Sequence, residues 1–262
     1  MSTRRSAPAA LFSLAAIGLV AAVMTGCALL SPASPTSTVT DAAGQQVTLD
    51  WADYPADDDK DPAEVLAAPR AEQVEAVGEQ LLADLQGAVD AHRAGSAWQR
   101  GRDGGVHEHD GNGYGGPTMH RTLNSAELLT HEALGDWPAL VAVLDAELAE
   151  HGYGPIEWEF DRETYAHETA AERDAAVVEQ FGSLDPAQMW QWAGDAHDGT
   201  MWVSIILQDR DRPAAPDASA AEPERLLAIM VGGTVIAAAD EQAYRDGIAP
   251  FEGLEPPGPT HS

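Results

Sequence analysis

The sequence predicts an α+β fold: an antiparallel sheet with two main helices packed on one face, preceded by a signal peptide and a flexible tether. Two segments, 70–93 and 136–151, carry apolar residues at the three- and four-residue spacing of an amphipathic helix. Short apolar or alternating runs, which are typical of strands, are concentrated after residue 155. Helices that come early and strands that come late favour α+β over alternating βαβ units.

The first 27 residues have the composition of an export signal. Arg4-Arg5 is basic, residues 9–23 are apolar and uncharged, and Thr25-Gly26 precedes the only cysteine, Cys27. This pattern predicts residues 1–26 as a lipoprotein signal peptide and Cys27 as the lipid attachment site. An uncleaved signal anchor is the alternative, because residues 9–30 are long enough to cross a hydrocarbon core of about 30 Å.

Either alternative places the rest of the chain at the cell membrane on its extracytoplasmic face. Residues 27–61 are predicted to be a tether, because 31–38 is rich in Pro, Ser and Thr and the acidic run at 57–61 repels itself. Leu49 and Trp51 are the residues of this segment suited to docking on the domain, so its boundary stays open.

The globular domain is predicted to span residues 62–249, beginning with Asp61 as a helix N-cap and Pro62 in the first turn. The first long helix is predicted over 70–93. Residues 95–117 contain eight glycines and are predicted to be a loop, since ordering so many glycines is entropically costly. A short strand is predicted at 118–122.

The second half of the domain is predicted to contain a helix and then a strand meander. Asp136 can cap the helix at 136–151, and the strand at 156–161 alternates apolar and acidic side chains. A weak helix is predicted within 163–181, and residues 250–262 are predicted to be a disordered tail. The remaining predicted strands are 189–193, 200–207 and 226–231, with a continuation at 234–238. Asp198-Gly199 is predicted to be the turn between the first two of them.

Composition excludes several classes of function. The formal net charge of −29 argues against nucleic-acid binding and against direct adsorption to anionic lipid. The only lysine, Lys60, lies in the acidic run, so lysine Schiff-base chemistry, a Walker A lysine and a Ser-x-x-Lys motif are excluded. With Cys27 acylated, the chain has no thiol left for catalysis or for an internal disulfide.

The best candidate for chemistry is the histidine-rich segment of the glycine-rich loop. His107, His109 and Asp110 lie within it and His120 follows it, so these four residues form a candidate site for a divalent transition metal. In an extended segment the two histidines of His-x-His point the same way. The alternative is a polar surface loop, because the His-Glu-x-x-His helix of metalloproteases is missing from the sequence.

Three other groups of residues have functional alternatives to a plain structural role. Glu157, Glu159 and Asp161 share one strand face that suits calcium or a glycosidase pair, but a solvated strand face is the preferred interpretation. The segment 195–198 carries polar residues that turn chemistry also explains. The tryptophans at 190, 192 and 202 form either a ligand-stacking row or part of the core.

Taken together, several residues resemble a known family. The chain resembles uncharacterised actinobacterial LppA-like lipoproteins in the order of its features. These are the signal ending in Cys27, the polar tether and long helix, the helix from Asp136-Trp137-Pro138 to His151-Gly152-Tyr153, and Asp198-Gly199 before an apolar strand. The resemblance covers about residues 70–240 and implies a membrane-anchored cell-envelope protein without a catalytic signature to carry over. Relatives carry more cysteines, so a family disulfide has no counterpart here.

The sequence therefore predicts an extracytoplasmic lipoprotein with a non-enzymatic binding or scaffolding role, no catalytic residues and no organic cofactor. Its partners would be the membrane, through the lipid anchor, and another envelope protein or polymer. Two alternatives remain: a transition-metal-binding lipoprotein that uses the histidine-rich loop, and a hydrolase with a carboxylate and histidine site.

Overall fold

The structure is a computed structural model that describes residues 33–41, 43–93, 95–216 and 223–260. The predicted signal peptide and Cys27 lie outside these residues. Within the described ranges, no helix is both long enough and apolar enough to cross a bilayer.

Five α-helices are present in the described ranges, and the two long ones were predicted from their apolar spacing. The first of the long helices buries Val74, Leu81, Leu85 and Val89 along one stripe, while Val77 is exposed. The second begins at the cap that Asp136 provides by accepting the N–H of Ala139. The bounds are α1 Pro62–Ala67, α2 Ala71–His92, α3 Trp137–Glu150, α4 Ala170–Phe181 and α5 Glu241–Ile248.

The main sheet is antiparallel and has eight strands in the order β3-β6-β10-β9-β8-β7, with β5 also pairing with β10 and β4 pairing with β5. Gly199, at a φ of 55°, lies in the tight turn where Asp198 pairs with Met201, as the sequence predicted. The strands are β3 Trp98–Arg100, β4 Gly105–Glu108, β5 Arg121–Asn124, β6 Leu128–Thr130, β7 Glu157–Trp158, β8 Gln191–Asp198, β9 Met201–Asp209 and β10 Arg225–Val235.

Helices α2 and α3 pack on one face of this sheet, which confirms the predicted α+β class. Val203 and Ile205 of β9 and Ile229 of β10 are fully buried beneath them. A Cβ on Gly78 of α2 would lie 3.5 Å from the Cβ of Val231, so the helix approaches the sheet closely. Trp192 belongs to this core, where it packs against Trp137 at 5.4 Å, so the structural alternative for that tryptophan is correct.

The predicted tether is wrong for residues 33–61. Two strands, β1 Thr36–Thr40 and β2 Gln46–Asp50, form a separate antiparallel hairpin. Trp51 is 1% exposed, and its ring packs against Tyr114 and Phe251. The apolar area that Trp51 and Tyr54 bury offsets the entropy that favours an extended acidic segment.

The predicted disordered tail is wrong for residues 250–260 for the same reason. Phe251 is buried in a second core with Trp51 and Tyr54. The hydroxyl of Tyr114 donates to the carbonyl oxygen of Pro257 at 3.2 Å, so the tail is attached to the glycine-rich segment. The domain therefore begins before residue 62 and continues past residue 249.

Several element predictions need correction in detail. The glycine-rich stretch 95–117 contains β3 and β4, so it is only partly a loop. The strand predicted at 118–122 is β5, three residues later, and the strand predicted at 156–161 is a two-residue β7 followed by a 3-10 turn. Strand β6 and helix α5 were not predicted.

Candidate functional site

The candidate site lies where the segment after Trp51, the glycine-rich segment and α5 meet. Asp57 comes from the first of these, His109 directly follows β4, and His120 directly precedes β5. The second core beneath them, which includes Tyr54 and Tyr244, holds the three backbones together.

Asp57 is the centre of the site. It is 5% exposed, and its Oδ2 lies 2.8 Å from Nδ1 of His109 and 3.1 Å from Nδ1 of His120. Neither carboxylate oxygen receives an aligned hydrogen bond within the part of the chain that the structure describes. The backbone N–H of Asp57 donates instead to Nδ1 of His120 at 3.3 Å.

Asp57 is ionised at neutral pH. Burial raises the pKa of its carboxyl group, but polar contacts with His120 and Thr118 and the positive charge available on His120 and His109 outweigh burial, so the pKa lies below its ordinary value. The two imidazoles thus compensate a carboxylate whose desolvation would otherwise be costly.

The other nitrogens of the two imidazoles contact hydroxyl groups. Nε2 of His109 lies 2.9 Å from Oγ1 of Thr122, which in turn lies 3.0 Å from Oγ1 of Thr234. Nε2 of His120, a residue that is 1% exposed, lies 2.9 Å from the hydroxyl of Tyr244. Burial raises the pKa of Tyr244, so this hydroxyl stays protonated at neutral pH.

An open cavity of about 720 Å³ adjoins these groups. Its walls carry four carboxylates and one imidazole, and its floor is the glycine-rich backbone. None of the residues that line it is a lysine or an arginine, so its potential is negative. The lining consists of Asp57, Asp58, Asp59, His109, Asp110, Gly111, Gly113, Gly115, Gly116 and Pro117.

The floor of the cavity is held in place by Asn112, which is fully buried. Its Nδ2 donates to the carbonyl oxygens of Trp51 at 2.9 Å and Tyr54 at 2.6 Å. Its Oδ1 accepts the N–H groups of Tyr114 and Gly116, both at 3.0 Å. The loop is therefore preorganised rather than mobile.

The glycines of this floor have a steric role. A Cβ on Gly116 would overlap the carbonyl oxygen of Ala52, and Gly113 has a φ of 78°, in the left-handed region. The glycine-rich composition thus permits a close backbone approach to the 51–54 segment.

The structure brings only part of the predicted metal site together. The rings of His109 and His120 are perpendicular with centroids 6.4 Å apart, and Asp110 lines the cavity. His107 is exposed on β4, opposite Thr122. Among the described residues, no group of three His, Cys, Asp or Glu side chains is arranged to hold a metal ion, and His107 does not join the other three members of the predicted set, His109, Asp110 and His120.

Sequence reasoning missed Asp57 and Asn112. Asp57 stands in an acidic run, where a solvated charge is the expected role, and its burial depends on Trp51 and Tyr54 docking nearby. Asn112 lies between two glycines, where a turn residue is the expected role. The one sequence feature that could have indicated a buried role for either residue was Trp51, an aromatic residue in a segment otherwise typical of a tether.

The remaining predicted candidates lie elsewhere. Glu157, Glu159 and Asp161 line a second open cavity of about 480 Å³ together with Arg162 and Tyr165, and Asp195 and His197 line the same cavity. Comparison of this chain with protein families, with curated proteins and with solved structures finds no match.

Proposed function

We propose that this protein is a membrane-anchored extracytoplasmic lipoprotein with a non-enzymatic binding role, and that the cavity beside Asp57 is its binding site. The observation that carries the proposal is an open cavity of about 720 Å³ whose lining carries four carboxylates and neither a lysine nor an arginine. Binding sites are typically preformed concave surfaces with a few fixed polar groups, and the Asn112 hydrogen bonds supply the preformed shape.

The length of chain before the folded part supports a position close to the membrane. The described residues begin at 33, and those from 36 onward belong to the hairpin and the domain. The six residue-to-residue steps from Cys27 to Ala33 span at most about 20 Å. A lipid on Cys27 would therefore hold the domain within about 20 Å of the bilayer surface, rather than on a long tether.

The anchor is tested by changing Cys27→Ser. We expect the wild-type protein to fractionate with membranes as a lipidated, shortened chain, and the variant to lose the lipid. A variant that still fractionates with membranes at the full precursor length would contradict the lipid anchor and support a signal anchor.

The binding role is tested by native mass spectrometry of the mature protein released from its own membranes in mild detergent. We expect a retained component that Asp110→Lys loses, because this change reverses a charge on the cavity wall. Glu150→Lys is the matched control, since Glu150 is exposed at the end of α3. A component retained equally by both variants would count against the cavity, and the absence of any retained component would count against the binding role.

A hydrolase role is the second candidate, and one observation favours it. The contacts from Thr122 through His109 to Asp57, at 2.9 and 2.8 Å, place a hydroxyl, an imidazole and a carboxylate in series. The assay is turnover of p-nitrophenyl acetate. A hydrolase would lose turnover in His109→Asn and keep it in His107→Asn, since His107 is outside this series.

Metal binding by the histidine-rich loop remains a prediction. The contacts that Nδ1 and Nε2 make in both His109 and His120 would have to change before either ring bound an ion. This rearrangement makes the metal alternative less favourable than binding by the carboxylates.

A further inference from the structure

We infer that the groove beside the C-terminal tail is a docking site for a basic, proline-rich segment of another protein, and that the tail of this chain competes with that partner for it. We call it the tail groove; its walls include Tyr54, Leu66, Ile248 and Phe251, and Leu254 and Pro256 of the tail line it as well. The tail groove shares no lining residue with the acidic cavity described above, so the inference does not rest on the binding role proposed for that cavity.

The tail shows which chemistry the groove accepts. Three of the five residues 255–259 are prolines, at positions 256, 257 and 259. A proline has a fixed φ and restricts the residue before it to extended conformations, so such a stretch loses little entropy when it docks. Residues 254–259 accordingly belong to no helix or strand. An extended proline-rich segment on an aromatic-lined groove is a recurring mode of peptide recognition.

The contacts that hold the tail are of the kind such a peptide needs. The hydroxyl of Tyr114 donates to the carbonyl oxygen of Pro257 at 3.2 Å, an acceptor that an extended proline-rich backbone leaves free. The backbone N–H of Thr260 donates to the carbonyl oxygen of Gly113 at 2.9 Å. Tyr114 is fully buried and its ring centroid lies 6.4 Å from that of Tyr54, so the tail is held against a fixed pair of aromatic side chains.

The tail fills only part of the groove. Beside Leu254 and Pro256 a volume of about 400 Å³ stays open, with Ile248 and Phe251 among the residues that line it. This volume lies in the range of about 300–1,000 Å³ that is typical of ligand sites. A partner with larger side chains next to its prolines would therefore occupy space that the tail leaves empty.

The charge around the tail favours a basic partner. A neighbouring opening of about 370 Å³ adjoins Pro256 and is lined by Tyr54, Pro62 and residues 57–61, which contain four aspartates and one lysine. Residues 252–260 contain two glutamates and neither a lysine nor an arginine, so the tail adds negative charge to an acidic surface. A lysine or arginine beside the prolines of a partner would be attracted there instead.

The experiment is fluorescence anisotropy of two labelled peptides added to the mature lipoprotein in detergent micelles. One peptide has the sequence of residues 254–260, and the other carries Glu255→Arg in that sequence. We expect both to bind a shortened chain that ends at Glu255, the arginine peptide about two- to fivefold more tightly, as is usual for an exposed ion pair. The intact chain should bind each about tenfold more weakly, because an attached tail with an effective concentration of order 1 mM competes with a peptide whose Kd is about 0.1 mM.

Three variants of the shortened chain assign the binding to the tail groove. Tyr114→Phe removes the hydroxyl donor and keeps the ring, so we expect it to weaken both peptides about two- to tenfold. Tyr153→Phe is the matched control, since Tyr153 is a buried tyrosine of the main core, and it should leave both affinities unchanged. Asp61→Asn should weaken the arginine peptide alone, because Asp61 lines both openings and asparagine caps α1 as well as aspartate does.

The intact chain supplies a second test if the melting temperature shows that the shortened chain does not fold. Pro256→Ala combined with Pro257→Ala removes the preorganisation of the attached tail and leaves the other walls of the groove unchanged. The intact double variant should therefore bind both peptides more tightly than the wild type does.

The inference is overturned if neither the shortened chain nor the double variant binds the peptides, or if Tyr114→Phe binds them as tightly as Tyr153→Phe does. The tail would then be a structural strap only. Equal binding of the two peptides would overturn the preference for a basic partner. A wild-type dimer in sedimentation velocity that dissociates when the tail is shortened would also overturn the inference, because the tail would then bind a second copy of this chain.

Discussion

Replacing Asn112 is the sharpest test of the way the cavity is built. Its amide makes four close hydrogen bonds, two donated to the carbonyl oxygens of Trp51 and Tyr54 and two accepted from the N–H groups of Tyr114 and Gly116. Each such bond has a net value of about 0.5–1.5 kcal/mol, and leaving buried partners unsatisfied adds to the loss. We therefore expect Asn112→Ala to lower the free energy of unfolding by about 3–4 kcal/mol.

Asn112→Asp is a second test, and the geometry predicts the direction in which it changes the free energy of unfolding. The aspartate has nearly the same shape, but it places an oxygen where the amide N–H₂ now faces the carbonyl oxygens of Trp51 and Tyr54. We expect it to be at least as destabilising as Asn112→Ala, because a buried charge then lies against acceptors.

The assay is urea unfolding followed by tryptophan fluorescence, with hydrogen exchange of the backbone amides of residues 111–116. Asn124→Ala is the matched control, since the amide of Asn124 is only partly buried and donates to Ser125 and Met230. A loss below about 1 kcal/mol for Asn112→Ala, or an equal loss in the control, would refute the conclusion that this side chain holds the cavity floor.

Three further predictions follow from the same structure. Trp51→Ala should lower the free energy of unfolding by about 3–5 kcal/mol in urea, because its buried ring would leave a cavity; a change near zero would restore the tether interpretation of this segment. Burial raises the pKa of Tyr153 to about 12, against about 10 in the unfolded chain. The contribution of this hydroxyl to folding stability should therefore be fully present below pH 10 and be lost between pH 10 and 12. The melting temperature should fall less steeply over this pH range in Tyr153→Phe than in the wild type, and an unchanged slope would contradict this. Adding Zn²⁺ to the metal-free mature protein should leave its melting temperature unchanged, whereas a rise that disappears in His109→Asn would favour the metal alternative.

The elements that were predicted correctly owe their formation to local pattern. Helices α2 and α3 follow the spacing of their own apolar residues, and α3 begins at the Asp136 cap that the sequence shows. The hairpin between β8 and β9 follows from Asp198-Gly199, a turn whose conformation favours glycine. Such features depend on residues a few positions apart, so they can be recognised without the rest of the chain.

The elements that were predicted wrongly depend on distant partners. The 33–61 segment folds because Trp51 meets Tyr114 and Phe251, which lie about 60 and 200 residues away along the chain. The same contacts order the tail around Phe251. Local composition favours solvation in both segments, and it is overridden by apolar area that only the assembled second core can bury.

Local composition and periodicity were thus enough to recognise the strong acidity, the α+β class and the two long helices. They also predict the export signal, which stays a prediction. The candidate site could not be derived in this way. Asp57 and His109 are 52 residues apart, and the Oδ2–Nδ1 distance of 2.8 Å between them arises from the packing of the second core rather than from any spacing in the chain. Burial likewise separates Asp57 from the solvated carboxylates beside it in the acidic run and places it against two imidazoles, since desolvation depends on what surrounds a group in space and not on its neighbours in sequence.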